Sequence, residues 1–427
     1  MRIVIWHGYL LGGTGSNVYV RSLARAWRRL GHEVIVICQD PRPEDHDLLG
    51  ARVVRPPIGP RLPVFVLDSY EDVEACLIGE MQRAELDRIV EANAAAIRAE
   101  LPADLVLVNH VLLGAPVGAA TRSPFILKAH GSELEYAMRG DPSLCAWARA
   151  TLASAGAVVV GSEHVRRVLG EVVGPGSYQQ RVRVVPPGVY VDELLPEPRE
   201  QALASLIAQS RLDAPNPPSA RDERAPDQDN AERLADFLAG EAPTVLYVGK
   251  LSREKGVHLL LEALGRLDAR AVIVGFGPER ANLENQAGAR VLFTGALEHR
   301  HLAHLWPLAD VSVTPSVFPE AFGMVAAEAA SCGSPPLVAR HSGLAEVAMG
   351  LEAEYPPEYR HLAAFTPGDV DDLTAKLGAI LTLPPSEHAE LRAAARRAAV
   401  RLWGWEGVAA NLLALRTGLG RSGELRN

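Results

Sequence analysis

The chain contains 427 residues, of which 48% are hydrophobic and 22% are charged. A single hydrophobic core rarely grows beyond about 250–300 residues, so this length predicts two domains, and the composition excludes a globally disordered chain. The formal net charge is −9 at pH 7, and residues 1–190 carry 20 basic and 20 acidic side chains. Because nucleic-acid binding requires a basic footprint, we expect no nucleic-acid partner.

The lack of a recognisable targeting signal and the spacing of the cysteines predict a cytoplasmic protein. No apolar stretch in the sequence reaches the ~18 residues that a membrane-spanning helix needs. The N-terminal run MRIVIW turns glycine-rich at once, which is typical of a first buried strand rather than of a secretion signal. The spacing of Cys38, Cys76, Cys145 and Cys332 fits neither paired disulfides nor a metal-ligand repeat, so we expect a reducing compartment.

The first half of the chain alternates short β-branched runs with helical patterns. The runs are RIVIW, EVIVI, DLVLV, PFILKA, AVVVG and RVRVVP. Near-continuous apolar strands of this kind are buried on both faces, which is typical of a parallel sheet covered by helices. We therefore predict an N-terminal Rossmann-like domain over residues 1–195.

A glycine-rich loop, GGTGSN at 12–17, lies between strand RIVIW and the helical run that follows it. N–H groups at a helix start bind anions, and Gly12 and Gly13 would let a ligand approach the backbone closely. A dinucleotide site is the alternative, but the full GxGxxG spacing and the expected acidic residue after a second strand are absent from the sequence. The loop is therefore a candidate anion site.

Residues 68–100 form an addition that is helical by pattern. Its apolar residues recur at roughly helical spacing among charges; they are Leu77, Met81, Leu86, Ile89 and Ile97. Such a segment could shape an acceptor pocket, and a plain pair of surface helices explains the pattern equally well.

Residues 196–240 are rich in proline and charge and contain few large apolar side chains. A segment of this composition cannot bury enough surface to offset its ordering entropy. We therefore predict a polar, flexible insertion or linker.

A second alternating series begins at TVLYVG (244–249) and predicts a second Rossmann-like domain over residues 241–404. Its first strand ends in a loop that carries Lys250, Arg253 and Lys255 ahead of an amphipathic helix. The ends of parallel strands hold ligands, and ammonium groups there could neutralise a diphosphate. A solvated basic loop is the alternative.

The segment TPSVFPEAFGMVAAEAASCGSPPLVA (314–339) combines two glutamates with a helix start. Glu320 lies in the loop before the helix, residues 322–325 form the first turn, and Glu328 lies within the helix. The free N–H groups of a first turn would stabilise a phosphate. Carboxylates bond strongly to paired hydroxyls, so we expect one glutamate to hold hexose hydroxyls and the other to hold ribose hydroxyls.

These segments together resemble the retaining glycosyltransferases of family 4, whose fold is the two-domain GT-B type. The resemblance covers nearly the whole chain. Its collinear motifs are GGTGSN, KAHGSE (128–133), VVVGSEHVRR (158–167), VPPGVYVDEL (185–194), the basic loop, VGFGP, FTGAL and the double-glutamate segment. The ending WEGVAANLLAL, within residues 405–427, resembles the family's last helix, which crosses back to the first domain.

The resemblance implies an α/β fold with two Rossmann-like domains facing each other across a donor-binding cleft. It implies that Lys255 and Lys250 bind the donor diphosphate, that Glu320 and His130 contact the transferred sugar, and that Glu328 binds the ribose. The catalytic set would be His130, Glu320 and Lys255. The remaining implied donor-binding positions are Gly12, Gly13, Gly277, Phe322, Gly323, Met324 and Val325.

Position 250 departs from the family's pattern, and His130 has a second interpretation. The family commonly has arginine at position 250, and lysine keeps the charge but loses the planar bidentate fork. Taken without the family, His130 follows an apolar strand and precedes a polar loop. It could therefore line a ligand site at a strand end or simply cap the next element.

The implied reaction transfers a sugar from a nucleotide-diphosphate sugar to a sugar, glycan or lipid-linked acceptor, with retention and without a protein nucleophile. A nucleotide-sugar epimerase on the same fold and a noncatalytic nucleotide-sugar-binding protein are the alternatives. The presence of both Glu320 and Lys255 argues against the noncatalytic protein. An oxidoreductase is disfavoured because the glycine loop lacks its expected partners.

We expect no cofactor and no essential metal. His299, His301 and His304 have metal-like spacing, but a polar helix face accounts for them better because no acidic third ligand is evident in the sequence. GDVDDL (368–373) resembles an acidic metal triplet, and an N-terminal helix cap is the simpler interpretation.

The arginines of the first helix recur at helical spacing and could contact an anionic membrane. They are Arg21, Arg25, Arg28 and Arg29. The neutral charge of this half favours a solvated face, and peripheral docking on a membrane stays open as the alternative.

Overall fold

The computed structural model describes residues 1–13, 15–65 and 73–418, and the chain divides into two compact units. The first unit comprises Met1–Gly188 and the segment that begins at Trp405, and the second comprises Val189–Gly404. The sequence places the first boundary near residue 195. The structure places it earlier, because Val189 pairs with Gly404 and its N–H donates to the Trp403 carbonyl at 2.6 Å.

The first unit alternates strands and helices. Its strands are β1 (Arg2–Trp6), β2 (Glu33–Ile37), β3 (Arg52–Val54), β4 (Arg61–Val64), β5 (Glu74–Leu77), β6 (Leu105–Asn109), β7 (Ile126–Lys128), β8 (Ala157–Val160) and β9 (Val182–Val184). Its helices are α1 (Gly15–Arg29), α2 (Arg83–Ala99), α3 (Gly114–Thr121), α4 (Gly131–Glu133), α5 (Pro142–Leu152), α6 (Glu163–Val173) and α16 (Trp405–Ala414). A π-helical turn, Leu134–Met138, continues α4.

Among the described residues of the first unit, a parallel sheet has the strand order β3-β2-β1-β6-β7-β8-β9, and β4 pairs with β5 separately. Every residue of β6 is buried, as expected for a strand covered on both faces. Since β1, β6 and β7 are neighbours, their carboxyl ends meet at one edge of the sheet. His7, His110 and His130 follow these three strand ends.

The last described helix packs within the first unit. The Trp27 indole N–H donates to the Ala409 carbonyl at 3.2 Å, and the rings of Tyr19 and Trp405 lie 5.4 Å apart between centroids. These contacts join α16 to α1 although the two segments are far apart in the chain. Within the described ranges, no helix has the length and apolar character needed to span a membrane.

The second unit begins with two helices and continues as an alternating α/β series. Its strands are β10 (Thr244–Val248), β11 (Arg270–Val274), β12 (Val291–Phe293), β13 (Val311–Thr314), β14 (Pro336–Ala339) and β15 (Ala364–Phe365). Its helices are α7 (Arg199–Ser210), α8 (Asn230–Phe237), α9 (Val257–Leu264), α10 (Arg280–Gln286), α11 (His299–Leu305), α12 (Met324–Ser331), α13 (Ser342–Glu352), α14 (Val370–Leu381) and α15 (Pro385–Trp403).

The parallel sheet of the second unit has the strand order β12-β11-β10-β13-β14-β15. The chain builds outward from β10 in one direction and then from β13 in the other. This arrangement creates a topological switch point between β10 and β13, where open α/β sheets bind their ligands. The basic loop follows β10 and the double-glutamate segment follows β13, so both lie at this point.

The structure differs from the flexible insertion that the composition of residues 196–240 predicts. Helices α7 and α8 lie in this segment, and Leu206 and Leu234 are buried in a cluster with Trp306 of the second unit. Asp213 and Asp227 anchor the turn between the helices through ion pairs with arginines. A few apolar anchors and ion pairs thus order a segment whose average composition is polar.

The helical addition predicted over residues 68–100 is only partly observed. Residues 68–72 lie outside the described residues, and Glu74–Leu77 form strand β5 because they pair with β4. The helix itself, α2, runs from Arg83 to Ala99 and buries Leu86, Ile89 and Ile97 in the core of the unit. Pairing between strands therefore overrides the helical spacing at Leu77.

Candidate functional site

The loop after β10 is held by its own backbone. The Tyr247 hydroxyl donates to the Lys250 carbonyl at 2.8 Å, while the side chain of Lys250 is exposed. The Glu254 carbonyl accepts from the N–H groups of Val317 and Phe318 at 2.8 and 3.2 Å. This carbonyl therefore ties the basic loop to the segment that carries Glu320.

Gly256 permits the close approach of these two loops. Its φ is +69°, and a Cβ at this position would lie 2.0 Å from the Pro315 carbonyl oxygen. Any other residue would be strained in conformation and would clash with backbone. The glycine thus allows Lys255, the preceding residue, to lie beside the loop after β13.

The two charged residues that the sequence singled out at this point are in contact. The Lys255 ammonium donates to Glu320 Oε1, and both side chains are partly exposed. The Glu320 backbone is held from α13, because its N–H donates to the Ser342 hydroxyl at 2.8 Å and its carbonyl accepts from the Gly343 N–H at 2.9 Å. The structure therefore brings a cation and a carboxylate together at the switch point.

Helix α12 starts at Met324, four residues after Glu320. Gly323 precedes it with φ +126°, and a Cβ there would lie 2.7 Å from a Leu344 methyl carbon. Phe322 is buried and packs edge-on against Trp403 at 6.0 Å, so only its backbone is available to a ligand. The Gly323 carbonyl accepts hydrogen bonds from the N–H groups of Ala326 and Ala327, and these are the first hydrogen bonds of the helix. The earlier N–H groups, including those of Met324 and Val325, thus form the positive end of the helix dipole.

Glu328 lies one turn further along α12. Its side chain is 12% exposed, and Oε1 lies 3.3 Å from Nε2 of His299 at the start of α11. Sequence reasoning identified Glu328 but assigned no role to His299. This pairing orients the Glu328 carboxylate and involves only one of its two oxygens.

Gly277 acts through packing rather than through a side chain. Its φ is +152°, and a Cβ would lie 2.4 Å from the Leu251 carbonyl oxygen. The Leu251 N–H donates to the Phe276 carbonyl at 2.8 Å. The glycine therefore holds the loops after β10 and β11 together.

In the first unit, His130 is the N-cap of α4. Its N–H donates to Glu133 Oε1 at 3.0 Å, and its imidazole faces the Glu133 N–H in a reciprocal capping box. Its Nε2 lies 3.1 Å from Asn109 Oδ1, and its ring lies 4.6 Å from His110 and 5.5 Å from Tyr19. His130 is therefore the N-cap residue of α4 and also lies at a strand end.

His130 belongs to a buried polar cluster at the carboxyl ends of β1, β6 and β7. Burial lowers the pKa of His7 to about 4 and the pKa of Lys128 to about 7, and it raises the pKa of Glu133 to about 8. Burial also lowers the pKa of His110 and of His130 well below the ordinary value. The imidazoles of the cluster are consequently neutral at pH 7.

The predicted glycine loop lies beside this cluster. The Asn17 amide nitrogen donates to the Gly12 carbonyl, and Asn17 Oδ1 lies 2.8 Å from His7 Nε2. Gly13 has φ +88° and is exposed. The loop is thus fixed from the inside by Asn17, and Thr14 lies outside the described residues.

The discounted signals have ordinary explanations. His301 is fully buried and lies 2.9 Å from an Asp213 oxygen, and His304 lies 2.9 Å from Glu197. Across the described part of the chain, no group of three or more His, Cys, Asp or Glu side chains could hold a metal ion. The Asp369 side chain accepts from the Asp372 N–H at 3.0 Å and so caps α14.

Sequence reasoning missed the residues that support the site. In the first unit these are His7, Asn17, Asn109, His110 and Glu133; in the second they are Tyr247, His299 and Ser342. His7 and His110 share one signal with His130, since each follows the end of an apolar strand. That signal could have identified them.

Two family profiles match the chain. The profile described as "Glycosyl transferase 4-like domain" matches residues 14–188, and "Glycosyl transferases group 1" matches residues 229–399. A D-inositol 3-phosphate glycosyltransferase from Xylanimonas cellulosilytica is 28% identical over 93% of this chain and 90% of its own length. A GDP-mannose-dependent alpha-(1-6)-phosphatidylinositol dimannoside mannosyltransferase from Mycobacterium tuberculosis is 35% identical over 40% of this chain and 42% of its own length.

Solved structures share the fold across nearly the whole chain. Sucrose-phosphate synthase from Thermosynechococcus elongatus has a TM-score of 0.67 and 24% identity, with 98% of this chain and 99% of that chain covered. HepE from Anabaena, in complex with UDP and glucose, has a TM-score of 0.67 and 17% identity, with 98% and 100% covered.

The two parallel sheets, the charged switch point and the matching profiles define a glycosyltransferase of the GT-B class. The chain belongs to the retaining glycosyltransferases of family 4. It transfers a sugar from a nucleotide-diphosphate sugar to an acceptor. The predicted fold class, family and activity are confirmed, and the epimerase and noncatalytic alternatives are set aside.

Proposed function

We propose that the second unit binds the donor diphosphate through Lys255, Lys250 and the N–H groups at the start of α12. The observation that carries this assignment is the contact between Lys255 and Glu320 at the switch point between β10 and β13. A diphosphate offers Lys255 a stronger anionic partner than one carboxylate. When the ammonium turns to the phosphates, Glu320 becomes available to the hydroxyls of the transferred sugar.

Glu328 is assigned to the ribose. Its carboxylate is largely buried, and His299 holds one of its oxygens. A carboxylate that is oriented in this way can accept hydrogen bonds from two neighbouring hydroxyls. Gly277 contributes by fixing the neighbouring loops and has no side chain to offer.

The chemistry follows from this arrangement of charges. The bond between the anomeric carbon and the phosphate oxygen breaks, and a bond to the acceptor oxygen forms on the same face. The departing phosphate takes the proton of the acceptor hydroxyl. Lys255 and the α12 terminus stabilise the negative charge that develops on the phosphate, so no protein nucleophile is needed.

The first unit is assigned to the sugar and the acceptor. His130 would contact a hydroxyl of the transferred sugar, and the exposed backbone at Gly13, with Gly12, would contact phosphate or acceptor. The acceptor would be a sugar, a polyol or a lipid-linked glycan. Two relatives are named for an inositol phosphate and for a phosphatidylinositol dimannoside, which supports testing both chemical types.

Two arginines of α1 are engaged in contacts within the first unit, which favours a solvated face over peripheral membrane docking. Arg25 pairs with Asp47 at 3.4 Å, and Arg28 donates to the Leu49 carbonyl at 3.0 Å. We assign the enzyme to the cytoplasm because its four cysteines are free thiols.

Transfer assays test this function. UDP-, GDP-, ADP- and TDP-sugars are each incubated with inositol phosphate, an oligosaccharide or phosphatidylinositol vesicles, and nucleotide release and product anomer are measured. We expect one donor and one acceptor class to give a product of retained configuration, with and without EDTA. Loss of turnover in EDTA, restored by a divalent ion, would overturn the metal-free assignment. An inverted anomer would overturn the mechanism.

A further inference from the structure

Two consecutive residues at the start of α13 contact both ends of the loop that carries Glu320. His341 Nε2 lies 2.6 Å from the Ser316 carbonyl oxygen, and the Ser342 hydroxyl accepts from the Glu320 N–H at 2.8 Å. The two side chains also contact each other, since His341 Nδ1 lies 2.9 Å from Ser342 Oγ. We call residues 316–320 the glutamate loop. Its two ends are thus joined through one pair of neighbouring side chains.

The hydrogen bonds of this pair have a fixed direction. A carbonyl oxygen can only accept, so His341 Nε2 carries the proton that is donated to Ser316. In the neutral ring, Nδ1 then has a lone pair and accepts from the Ser342 hydroxyl, whose oxygen accepts in turn from the Glu320 N–H. His341 therefore holds the Ser342 hydroxyl with an oxygen lone pair towards Glu320.

The backbone at Ser342 is strained. Its φ is +48°, in the left-handed region that residues other than glycine rarely adopt. The next residue, Gly343, donates its N–H to the Glu320 carbonyl at 2.9 Å, and a Cβ there would lie 2.5 Å from the Phe322 Cα. A glycine at position 342 would adopt this φ without strain. The presence of serine at a strained position is therefore a reason to look for a function of its hydroxyl.

The glutamate loop is also joined to the loop after β10. The Ser316 hydroxyl donates to the Glu254 carbonyl at 3.2 Å, and Glu254 directly precedes Lys255. The contacts of α13 with the glutamate loop therefore extend to the backbone that carries the cation of the site.

We propose that His341 and Ser342 are positioning residues for sugar transfer: His341 orients the Ser342 hydroxyl, and this hydroxyl fixes the backbone of Glu320 so that its carboxylate meets the transferred sugar. The inference rests on the proposed contact of Glu320 with that sugar. Neither His341 nor Ser342 touches the reacting atoms in this role, and both act through Glu320.

Two substitutions of Ser342 separate positioning from stability. Ser342→Ala and Ser342→Gly both remove the hydroxyl, but only glycine relieves the strain at φ +48°. We expect kcat to fall about tenfold in both variants with unchanged affinity for the nucleoside diphosphate. Ser342→Gly should nevertheless unfold at a higher temperature than Ser342→Ala. A kcat that follows the unfolding temperature, with wild-type turnover in Ser342→Gly, would overturn the proposal.

A double-mutant cycle tests whether His341 acts through Ser342. His341→Ala alone should lower kcat by about threefold to tenfold, and His341→Ala combined with Ser342→Ala should lower it no further than Ser342→Ala alone. Losses that multiply in the double variant would overturn the serial arrangement. The matched control is His388→Ala, since His388 is a histidine of the same unit that lies 2.9 Å from the Asp310 carbonyl oxygen; its kcat should equal that of the wild type.

Amide hydrogen exchange of the same proteins without substrate tests the contacts directly. Residues 316–322 should exchange faster in Ser342→Ala and in His341→Ala than in the wild type, and the His388 variant should show no change. Unchanged exchange in the first two variants would overturn the proposal, and so would faster exchange with unchanged kcat. Failure of the proposed sugar contact is distinguishable, because it would appear as an unchanged kcat in Glu320→Gln.

Discussion

The Lys255 ammonium and the Glu320 carboxylate are hydrogen-bonded to each other at the switch point of the second sheet. Each group satisfies the charge of the other, and the Glu320 backbone is held by Ser342 and Gly343 of α13. Donor binding must therefore exchange this ion pair for phosphate and hydroxyl contacts. Replacing Lys255 and replacing Glu320 should therefore have different effects on nucleotide binding and on catalysis.

Glu320→Gln should separate catalysis from nucleotide binding. The substitution removes the charge that meets the sugar but leaves Lys255 free for phosphate. We expect the affinity for the nucleoside diphosphate to stay the same or rise, while kcat falls roughly a hundredfold. Titration calorimetry and steady-state kinetics measure the two effects. The matched control is Glu352→Gln, a partly buried glutamate of α13 that pairs with Arg340; equal losses in both variants would argue against a role at the sugar.

Glu328→Ala should weaken every nucleotide that carries intact ribose hydroxyls. A charge-assisted hydrogen bond contributes about 1.5–3 kcal/mol, so we expect a loss of affinity of about tenfold to a hundredfold. The 2′-deoxy nucleotide should bind the wild type more weakly and should lose less affinity in the variant. Equal losses for ribose and deoxyribose nucleotides would remove Glu328 from the ribose site.

Gly256→Ala should disturb the basic loop and the stability of the second unit together. The added Cβ would lie 2.0 Å from the Pro315 carbonyl oxygen at φ +69°. Strain and overpacking of this kind cost about 2–4 kcal/mol. The thermal unfolding temperature and the affinity for nucleotide should both decrease. Gly288→Ala, at a glycine of the same unit with open space around it, should change neither.

His7 should make the first unit sensitive to acid. Burial lowers its pKa to about 4, despite the opposing hydrogen bond to the Asn17 side-chain oxygen, whereas an unfolded histidine has a pKa of about 6.5. Below pH 6.5 the unfolded chain binds a proton at His7 that the folded chain does not bind. The contribution of His7 to the free energy of unfolding is therefore complete above pH 6.5 and is lost as the pH falls towards 4.

The variant His7→Gln removes that titration. Relative to the variant, the wild type should lose about 2 kcal/mol of unfolding free energy between pH 7.5 and pH 5. Denaturant unfolding of both proteins at the two pH values measures the difference. If the unfolding free energy of the wild type minus that of His7→Gln is the same at both pH values, or is larger in acid, His7 is not buried in its neutral form.

The strands and the switch-point residues could be predicted from sequence because their signals are local. Continuous apolar runs predict β1, β6, β10 and β13, and the segment around Glu320 and Glu328 combines a loop, a helix start and two carboxylates within a few residues. The local signal marks each of His7, His110 and His130 at a strand end, but it does not predict that the three form one cluster. These histidines are neighbours only because the sheet places β1, β6 and β7 side by side.

Average composition misled the prediction for residues 196–240. The segment contains few apolar side chains, yet Leu206 and Leu234 recur on faces that pack beside Trp306. Asp213 and Asp227 then pair with Arg300 and Arg280, which lie more than fifty residues away in sequence. Contacts of this range leave no local pattern, so the ordering of the segment follows from tertiary structure alone.

The most direct test of the account is the affinity of nucleoside diphosphates and nucleotide sugars for the wild type, Lys255→Ala and Lys376→Ala. Lys376 is the matched control, since it is a partly buried lysine of the same unit that pairs with Asp372. We expect one nucleotide family to bind the wild type and the Lys376 variant alike, and to bind Lys255→Ala at least tenfold more weakly. Equal binding to all three proteins would contradict the assignment of the donor phosphates to the switch point.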